Sequence, residues 1–503
     1  MIAGSVPAIV VSLPARTLGA ARDEVVRARA AGATLAEVRF DRWTPAERTL
    51  APGLFPSPLP LIATLRSRAE GGEGPDDPAE RSAILADLGR LPFRWIDLES
   101  ARDSPDRLPR PAESIGWILS THRPTSVGVE EWSALLRETG PRGSIRKVVV
   151  RATVGSLLRD LVPALPPAGE NALVAVTTGP SGPLLRAWAG RLGFPLVFAS
   201  LPDDGPQGMD DGPVEASQIP VNWLRPFLSD ADGPPLFGLA GHPVAHSRSP
   251  SLHARWIRRS RRTGLYVALD FESDEEFLES LAPLAERGFR GLNVTHPFKT
   301  AALEAATEVG PGAAACGVAN CLTFRGEIVE AENTDLAAIL RRLEELRRLG
   351  RWDGQGLSVV GGGGAARATL AAARVLGCER RVYGRHAGRI EKLAGEFGAR
   401  TGPLGSPSPD RLVVHATLAG RADVDPLEVP LAPLLGPGTH VIDWVYRPVD
   451  ASVREATVAA GGTYEDGTRL LVYQAASSFG LWWGDEPGPE EIARTLAEEG
   501  CTE

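Results

Sequence analysis

Eight short apolar runs, mostly separated by helix-like stretches, occupy the first part of the chain. They are AIVVSL (8–13), TLAEVRF (34–40), LIATLR (61–66), WIDLE (95–99), GWILSTH (116–122), SIRKVVVR (144–151), ALVAVT (172–177) and PLVFAS (195–200). Alternating β and α units predict a parallel sheet covered by helices, and eight of them predict a (β/α)8 barrel. An open doubly wound sheet is the alternative architecture. A barrel makes a sharp demand: reactive side chains belong at the C-terminal ends of strands and in the loops after them. The polar outliers meet it. Glu37 and Arg39 end the second run, Arg66 ends the third with Glu70 following, and His122 ends the fifth. Lys147 lies within the sixth, Arg186 in the loop after the seventh, and Gln218 after the eighth.

Lys147 stands out by composition. The chain has 54 Lys+Arg, and only three are lysines: Lys147, Lys299 and Lys392. Arginine is used wherever either cation would serve, whereas lysine alone can shed its proton and act as nucleophile or base. Strand alternation aims Lys147 and Arg151 at one face. A neutral lysine in a desolvated, cation-rich pocket can attack a ketone and form an imine, which is an electron sink once protonated. His122 is the only histidine among the first 235 residues and suits the proton transfer that follows. Glu70 would orient it, and Arg39, Arg66 and Arg186 would pair with a carboxylate substrate. Arg151 would either help depress the lysine pKa or fill the barrel wall.

In the second half, LSVVGGGGAARATLAAARVLG (357–377) reads as strand, glycine-rich turn and amphipathic helix. Such a turn lets the backbone approach a pyrophosphate at a helix N-terminus. Gly361, Gly362, Gly363, Gly364 and Ala365 are the candidate cofactor-binding residues. The next strand, RRVYG (380–384), is followed by Arg385 and Arg389, with no acidic residue until Glu391. A carboxylate there would hold the ribose 2′-OH of NAD, whereas guanidiniums bind a 2′-phosphate, so NADP is the expected cofactor. GLNVTHPFKT (291–300) places Lys299 after a strand, and EAENTDLAAIL (330–340) presents Asp335. A Lys–Asp pair can relay the proton of an alcohol while hydride moves to a cofactor. Lys392 sits on a polar helix face and is assigned no role.

Two families are resembled, one in each half. EVRFD (37–41), LRSRAEGGE (65–73), LSTHRP (119–124), SIRKVV (144–149), TTGPSGPLLR (177–186) and ASQIP (216–220) resemble type I 3-dehydroquinate dehydratase. The resemblance implies Lys147 as the Schiff-base residue, His122 as the proton-transfer group and Glu70 as its partner. It implies Glu37, Arg39, Arg66, Arg186 and Gln218 as substrate ligands. Val214 stands where the family has a substrate-binding serine, and a rival alignment would put Val150 or Arg151 at the lysine. GHPVAHSRSPSLH (241–253), NVTHPFK, GVANCL, ENTD, GGGGAAR, IDWVYRP (442–448) and DGTRLLVYQAA (466–476) resemble shikimate dehydrogenase. That resemblance implies Ser247, Ser249, Asn293, Thr295, Asn320 and Gln474 as substrate ligands, Tyr446 lining the site, and Lys299 with Asp335 as the catalytic pair.

The expected organisation is an N-terminal barrel (1–228), a linker (229–235) and a dehydrogenase-like unit (236–503). The last divides into a substrate domain (236–350 plus 466–503) and a Rossmann nucleotide-binding domain (351–465). The expected function is bifunctional: dehydration of 3-dehydroquinate, then NADPH-dependent reduction of 3-dehydroshikimate to shikimate. A catabolic NAD-linked quinate/shikimate dehydrogenase fused to a non-catalytic barrel is the alternative. The net charge of −9 argues against nucleic acid or an anionic membrane as partner. No run of about 18 apolar residues occurs, and the N-terminus lacks the cationic start of a signal peptide. The four cysteines form no CxxC pair. They read as reduced thiols of a cytoplasmic protein without a metal site. Small-molecule substrates are the expected partners, with oligomeric state open.

Overall fold

Each of the eight apolar runs forms a strand: β1 (Ala8–Leu13), β2 (Leu35–Arg39), β3 (Leu61–Thr64), β4 (Trp95–Glu99), β5 (Gly116–Ser126), β6 (Ile145–Arg151), β7 (Leu173–Thr178) and β8 (Leu196–Ala199). The computed structural model describes residues 6–108, 115–138, 140–167, 172–202, 218–228, 233–244, 247–402, 410–418, 431–446 and 451–501. The strands pair in the order β7-β6-β5-β4-β3-β2-β1-β8. All seven pairings are parallel, giving a near-closed eight-stranded barrel. Several helices between strands start on side-chain caps. Asp77 accepts from the N–H groups of Ala79 (3.0 Å) and Glu80 (2.9 Å) to open the helix Pro78–Leu88, with Pro78 at its first position.

The two-residue period of a strand sorts the barrel interior into layers. Val10, Leu35, Ile62, Ile118, Ile145, Val174 and Leu196 form an apolar floor, and Val149, Val176 and Phe198 extend it. Two residues further along six of the strands, the same inward face carries Ser12, Glu37, Thr64, Asp97, Ser120 and Lys147, all buried. Buried polar groups are costly unless paired, so this second layer stands only if its members satisfy one another.

The chain forms two compact units, residues 1–236 with 260–284, and residues 237–259 with 285–503. The later segment of the first unit contains β10 (Leu265–Asp270) and most of the helix Asp274–Glu286. Glu276 on that helix accepts a hydrogen bond from Gly155 N at 2.7 Å.

The second unit holds two sheets. In one, β9 (Leu236–Gly241), β11 (Phe289–Val294), β13 (Cys321–Arg325), β14 (Ile328–Glu332) and β12 (Glu308–Val309) lie side by side in that order. β13 runs antiparallel to both of its neighbours, and β12 runs parallel to β14. The other sheet is parallel throughout. Its order is β17 (Arg400–Thr401), β16 (Glu379–Tyr383), β15 (Gly356–Val360), β18 (Leu412–His415), β19 (His440–Asp443), β20 (Thr463–Glu465). The chain leaves β15 for β16 on one side and resumes with β18 on the other. That reversal opens a crevice at the C-terminal end of β15, the usual ligand position in such sheets. The helices Thr334–Arg348, Gly364–Val375 and Thr468–Trp483 share one core through Ile339, Leu343, Leu370, Ala371, Val472 and Phe479. Among the described residues, no helix is long and apolar enough to cross a membrane.

Candidate active sites

In the barrel, β6 carries Lys147 with its side chain 7% exposed. Its Nζ lies 3.3 Å from Asp97 Oδ2, 3.7 Å from Glu37 Oε1, and 3.9 Å above the Phe198 ring centroid. Arg66, just past the end of β3, ties that strand to β4 and β5. Its guanidinium reaches Asp97 (2.8 Å), Ser120 Oγ (2.9 Å), Glu70 (3.2 Å) and Glu99 (3.3 Å). Glu37 accepts from Ser12 Oγ (2.6 Å) and Thr64 Oγ1 (2.8 Å), and Gln218 donates to Ser12 at 3.2 Å. His122 pairs through Nδ1 with Glu70 at 3.0 Å, and its backbone N–H donates to the same carboxylate oxygen at 3.2 Å.

The electrostatics separate these groups. Burial pushes the Glu70 carboxyl up to about 7, against the pull of Arg66. Burial alone would raise Asp97, but the Arg66 and Lys147 cations hold it at about 2. Burial, with the Arg66, Lys147 and Arg39 charges, keeps His122 well below the ordinary histidine value, so the imidazole is neutral at pH 7. A neutral imidazole whose Nδ1 faces a carboxylate presents Nε2 as a base.

Lys147, Glu37, Arg66, Glu70, His122 and Gln218 therefore belong to one connected polar layer. Arg39 instead forms a two-point pair with Asp41, 2.8 Å at both nitrogens. Arg186 is buried and donates to the carbonyls of Thr177 (3.0 Å) and Gly182 (2.5 Å). Arg151 corrects the sequence reading: it is exposed at the end of β6, beside Gly179, and fills no part of the wall. The pocket around Lys147 is also richer in carboxylates than expected. Asp97 and Glu99 lie inside an apolar run, WIDLE, which puts two acids on the inward face of one strand. Val214 lies outside the described residues.

The second unit builds its site from helix starts and loop ends around a cavity of about 1200 Å³. Lys299 opens the helix Lys299–Glu304 and pairs with Asp335 in the first turn of the helix Thr334–Arg348. A helix N-terminus favours a carboxylate, which helps to fix Asp335. Asn333 caps that helix, accepting from Leu336 N at 3.0 Å. Behind the pair, Asn320 Oδ1 accepts from Thr334 N (2.6 Å), and Asn293 Nδ2 donates to Ser478 Oγ (2.7 Å). Ser247, Ser249, Asn293, Thr295, Asn320, Tyr446 and Gln474 all line the cavity with Lys299 and Asp335.

Gly361, Gly362, Gly363, Gly364, Ala365, Arg385 and Arg389 line the same cavity. Two glycines there cannot be exchanged freely. Gly361 has φ of +133°, and a Cβ on it would meet the Ala416 carbonyl at 2.4 Å. A Cβ on Gly364 would meet Lys299 Cδ at 2.7 Å. The helix Gly364–Val375 starts here, so a diphosphate would meet free N–H donors and the positive helix end. Lys392, given no role from sequence, is exposed on the helix Ala387–Phe397 and lines the cavity with Arg389. Among the described residues, no cluster of His, Cys, Asp or Glu could hold a metal ion.

Comparison with known proteins agrees with this division. A family model described as type I 3-dehydroquinase matches residues 9–229. The model of the shikimate dehydrogenase substrate binding domain matches residues 239–322. Shikimate dehydrogenase (NADP(+)) of Dinoroseobacter shibae is 35% identical over 277 residues, covering 52% of this chain and 98% of the relative. The chain belongs to the shikimate dehydrogenase family. The enzyme of the same name from Paracoccus denitrificans is 37% identical over 268 residues, covering 52% of this chain and 94% of that one. Shikimate 5-dehydrogenase from Thermus thermophilus, solved with NADP(H) and shikimate, is 34% identical with a TM-score of 0.47, covering 53% of this chain and 99% of that one. The shikimate dehydrogenase unit is thus joined to a type I 3-dehydroquinase domain, and the chain is bifunctional, lyase and oxidoreductase.

Proposed function

We propose that the chain catalyses consecutive steps, dehydrating 3-dehydroquinate to 3-dehydroshikimate in the barrel and reducing that ketone to shikimate, with NADPH, in the second unit. One observation carries the reading. In each unit the site's lysine is paired with carboxylate, Lys147 with Asp97 and Glu37, and Lys299 with Asp335.

In the barrel, the Lys147 amine attacks the substrate ketone, the carbonyl oxygen leaves as water, and an iminium remains. His122, neutral and oriented by Glu70, takes the proton from the adjacent carbon. The electron pair moves into the iminium, and the β C–O bond breaks as electrons return. His122 returns its proton to the departing hydroxide, and hydrolysis of the product iminium frees Lys147. The resemblance assigns Arg66, Arg39, Arg186, Glu37 and Gln218 to the substrate carboxylate and hydroxyls, so substrate would have to draw the guanidiniums from their present partners.

In the second unit, the glycine turn and the helix starting at Gly364 would hold the cofactor diphosphate, and Arg385 and Arg389 the 2′-phosphate. NADPH supplies the hydride when bound. Lys299 gives the carbonyl oxygen its proton, and Asp335 holds the lysine in place. Ser247, Ser249, Asn293, Thr295, Asn320, Tyr446 and Gln474 surround the space for a polyhydroxy ring.

Borohydride reduction in the presence of 3-dehydroquinate tests the first step. A stable adduct mapping to Lys147 is expected. A label elsewhere, or none on a chain that still dehydrates the substrate, refutes the imine.

A further inference from the structure

Asp97 is at the centre of the barrel's charged layer, yet the steps above give it no task. Its Oδ1 accepts from Arg66 Nη2 at 2.8 Å and from Ser120 Oγ at 2.5 Å. Those two donors use one oxygen and leave Oδ2 turned to Lys147 Nζ, 3.3 Å away. The carboxylate is 1% exposed. A buried ion costs several kcal/mol unless its partners are well placed, so this geometry is an expensive way to close a barrel wall. Trp95, one inward position earlier on the same strand, does that with apolar atoms.

The other charges around Lys147 are committed elsewhere. Glu37 is more distant from Nζ, and both of its oxygens accept from hydroxyls. Arg39 is held by Asp41, and Arg66 by its own carboxylates. Glu70 faces His122 and Arg66. Asp97 is thus the nearest carboxylate to the amine, and its low proton affinity keeps it ionised across the working pH range.

We propose that Asp97 is the positioning residue of Lys147, fixing Nζ for attack and serving as the counter-charge of its nitrogen through the imine cycle. The inference rests on the imine reading above. Converting an ammonium and a ketone into an iminium and water conserves the positive charge on nitrogen, so Asp97 supports both ends of that step. The free amine and the enamine carry no charge on nitrogen and gain nothing from it. Removing the negative charge while keeping the shape should let the ammonium lose its proton at lower pH.

The test is the pH dependence of borohydride-trapped adduct formation on Lys147 with 3-dehydroquinate, read by intact mass and peptide mapping. In Asp97→Asn the acidic limb of the labelling rate should move down by about one pH unit or more, the usual influence of an opposite charge at this range. In Asp97→Glu the limb should stay near its wild-type position while labelling slows, because the charge is kept and Nζ is displaced. An unmoved limb in Asp97→Asn, or the same shift in Asp97→Glu, overturns the proposal. Should Asp97→Asn fail to fold, Asp97→Glu decides alone: labelling at the wild-type rate overturns positioning, and slowed labelling on an unmoved limb supports it. Absence of any adduct in the wild-type chain refutes the imine reading itself, before any variant is compared.

Discussion

The two lysines sit in contrasting surroundings. Lys147 projects from the middle of a barrel strand into a packed layer of charges, with its side chain 7% exposed. Lys299 sits at a helix start on the wall of a cavity of about 1200 Å³, with its side chain 18% exposed. In the barrel, the groups that would perform chemistry are the same groups that satisfy the interior. In the second unit, the reactive pair borders space and the packed core lies behind it. Substitutions in the barrel site should therefore cost both activity and stability, whereas Lys299, on the cavity wall, should matter mainly for activity.

The largest expected effect separates the two sites. Lys147→Ala should reduce dehydratase turnover by more than the roughly 10²–10⁴-fold typical of a general acid–base group, since it removes the nucleophile itself. Reductase activity should be unchanged. Lys299→Ala and Asp335→Asn should each lower reductase kcat by about 10²–10⁴-fold and leave dehydration intact. Steady-state assays of each step with its own substrate read both, and loss of both activities in a folded single variant would break the comparison.

Stability sharpens it next. Arg66→Met leaves Asp97, Glu70 and Glu99 without their shared cation, and breaking such a buried network costs about 3–5 kcal/mol. Denaturant unfolding should show that loss, while Lys299→Ala, which breaks a single pair on a cavity wall, should cost less. Equal destabilisation by the two changes would remove the distinction.

Cofactor choice comes after that. Arg385→Ala should weaken NADPH binding by about 2–3 kcal/mol, the usual size for a charged hydrogen-bonding partner, and leave NADH nearly unaffected. kcat/KM with both cofactors measures it, and equal use of NADH by the wild type would contradict the assignment. The smallest effect is a pH limb. With Glu70 pushed up to about 7 by burial, its carboxylate forms as pH rises through that value and then accepts the His122 Nδ1 proton. Dehydratase kcat/KM should rise through pH 7, and Glu70→Gln should flatten the rise. An unchanged profile would detach Glu70 from His122.

The same contrast explains what the sequence made legible. Strand period and turn spacing marked all eight barrel strands, most within one or two residues, because buried parallel strands are short apolar runs bounded by breakers. Polar residues at strand ends, such as Glu37 and His122, stood out against those runs. Asp97 and Glu99 did not, because their acidic character was absorbed into an otherwise apolar strand and their partner Arg66 lies some 31 residues away. His122 sits inside a strand that continues to Ser126, and Arg66 lies two residues beyond the end of β3. In the second unit the glycine turn and the Lys299 and Asp335 motifs were readable locally. That Lys392 shares the cavity wall with Arg389 depends on helix placement, which no local pattern encodes.

One reaction tests the central claim, that a single chain carries both steps. The purified chain is supplied with 3-dehydroquinate and NADPH, and NADPH oxidation is followed alongside shikimate by chromatography. One shikimate should form per NADPH consumed, and Lys147→Ala should stop the reaction from 3-dehydroquinate but not from 3-dehydroshikimate. NADPH oxidation with 3-dehydroshikimate but none with 3-dehydroquinate would contradict the claim.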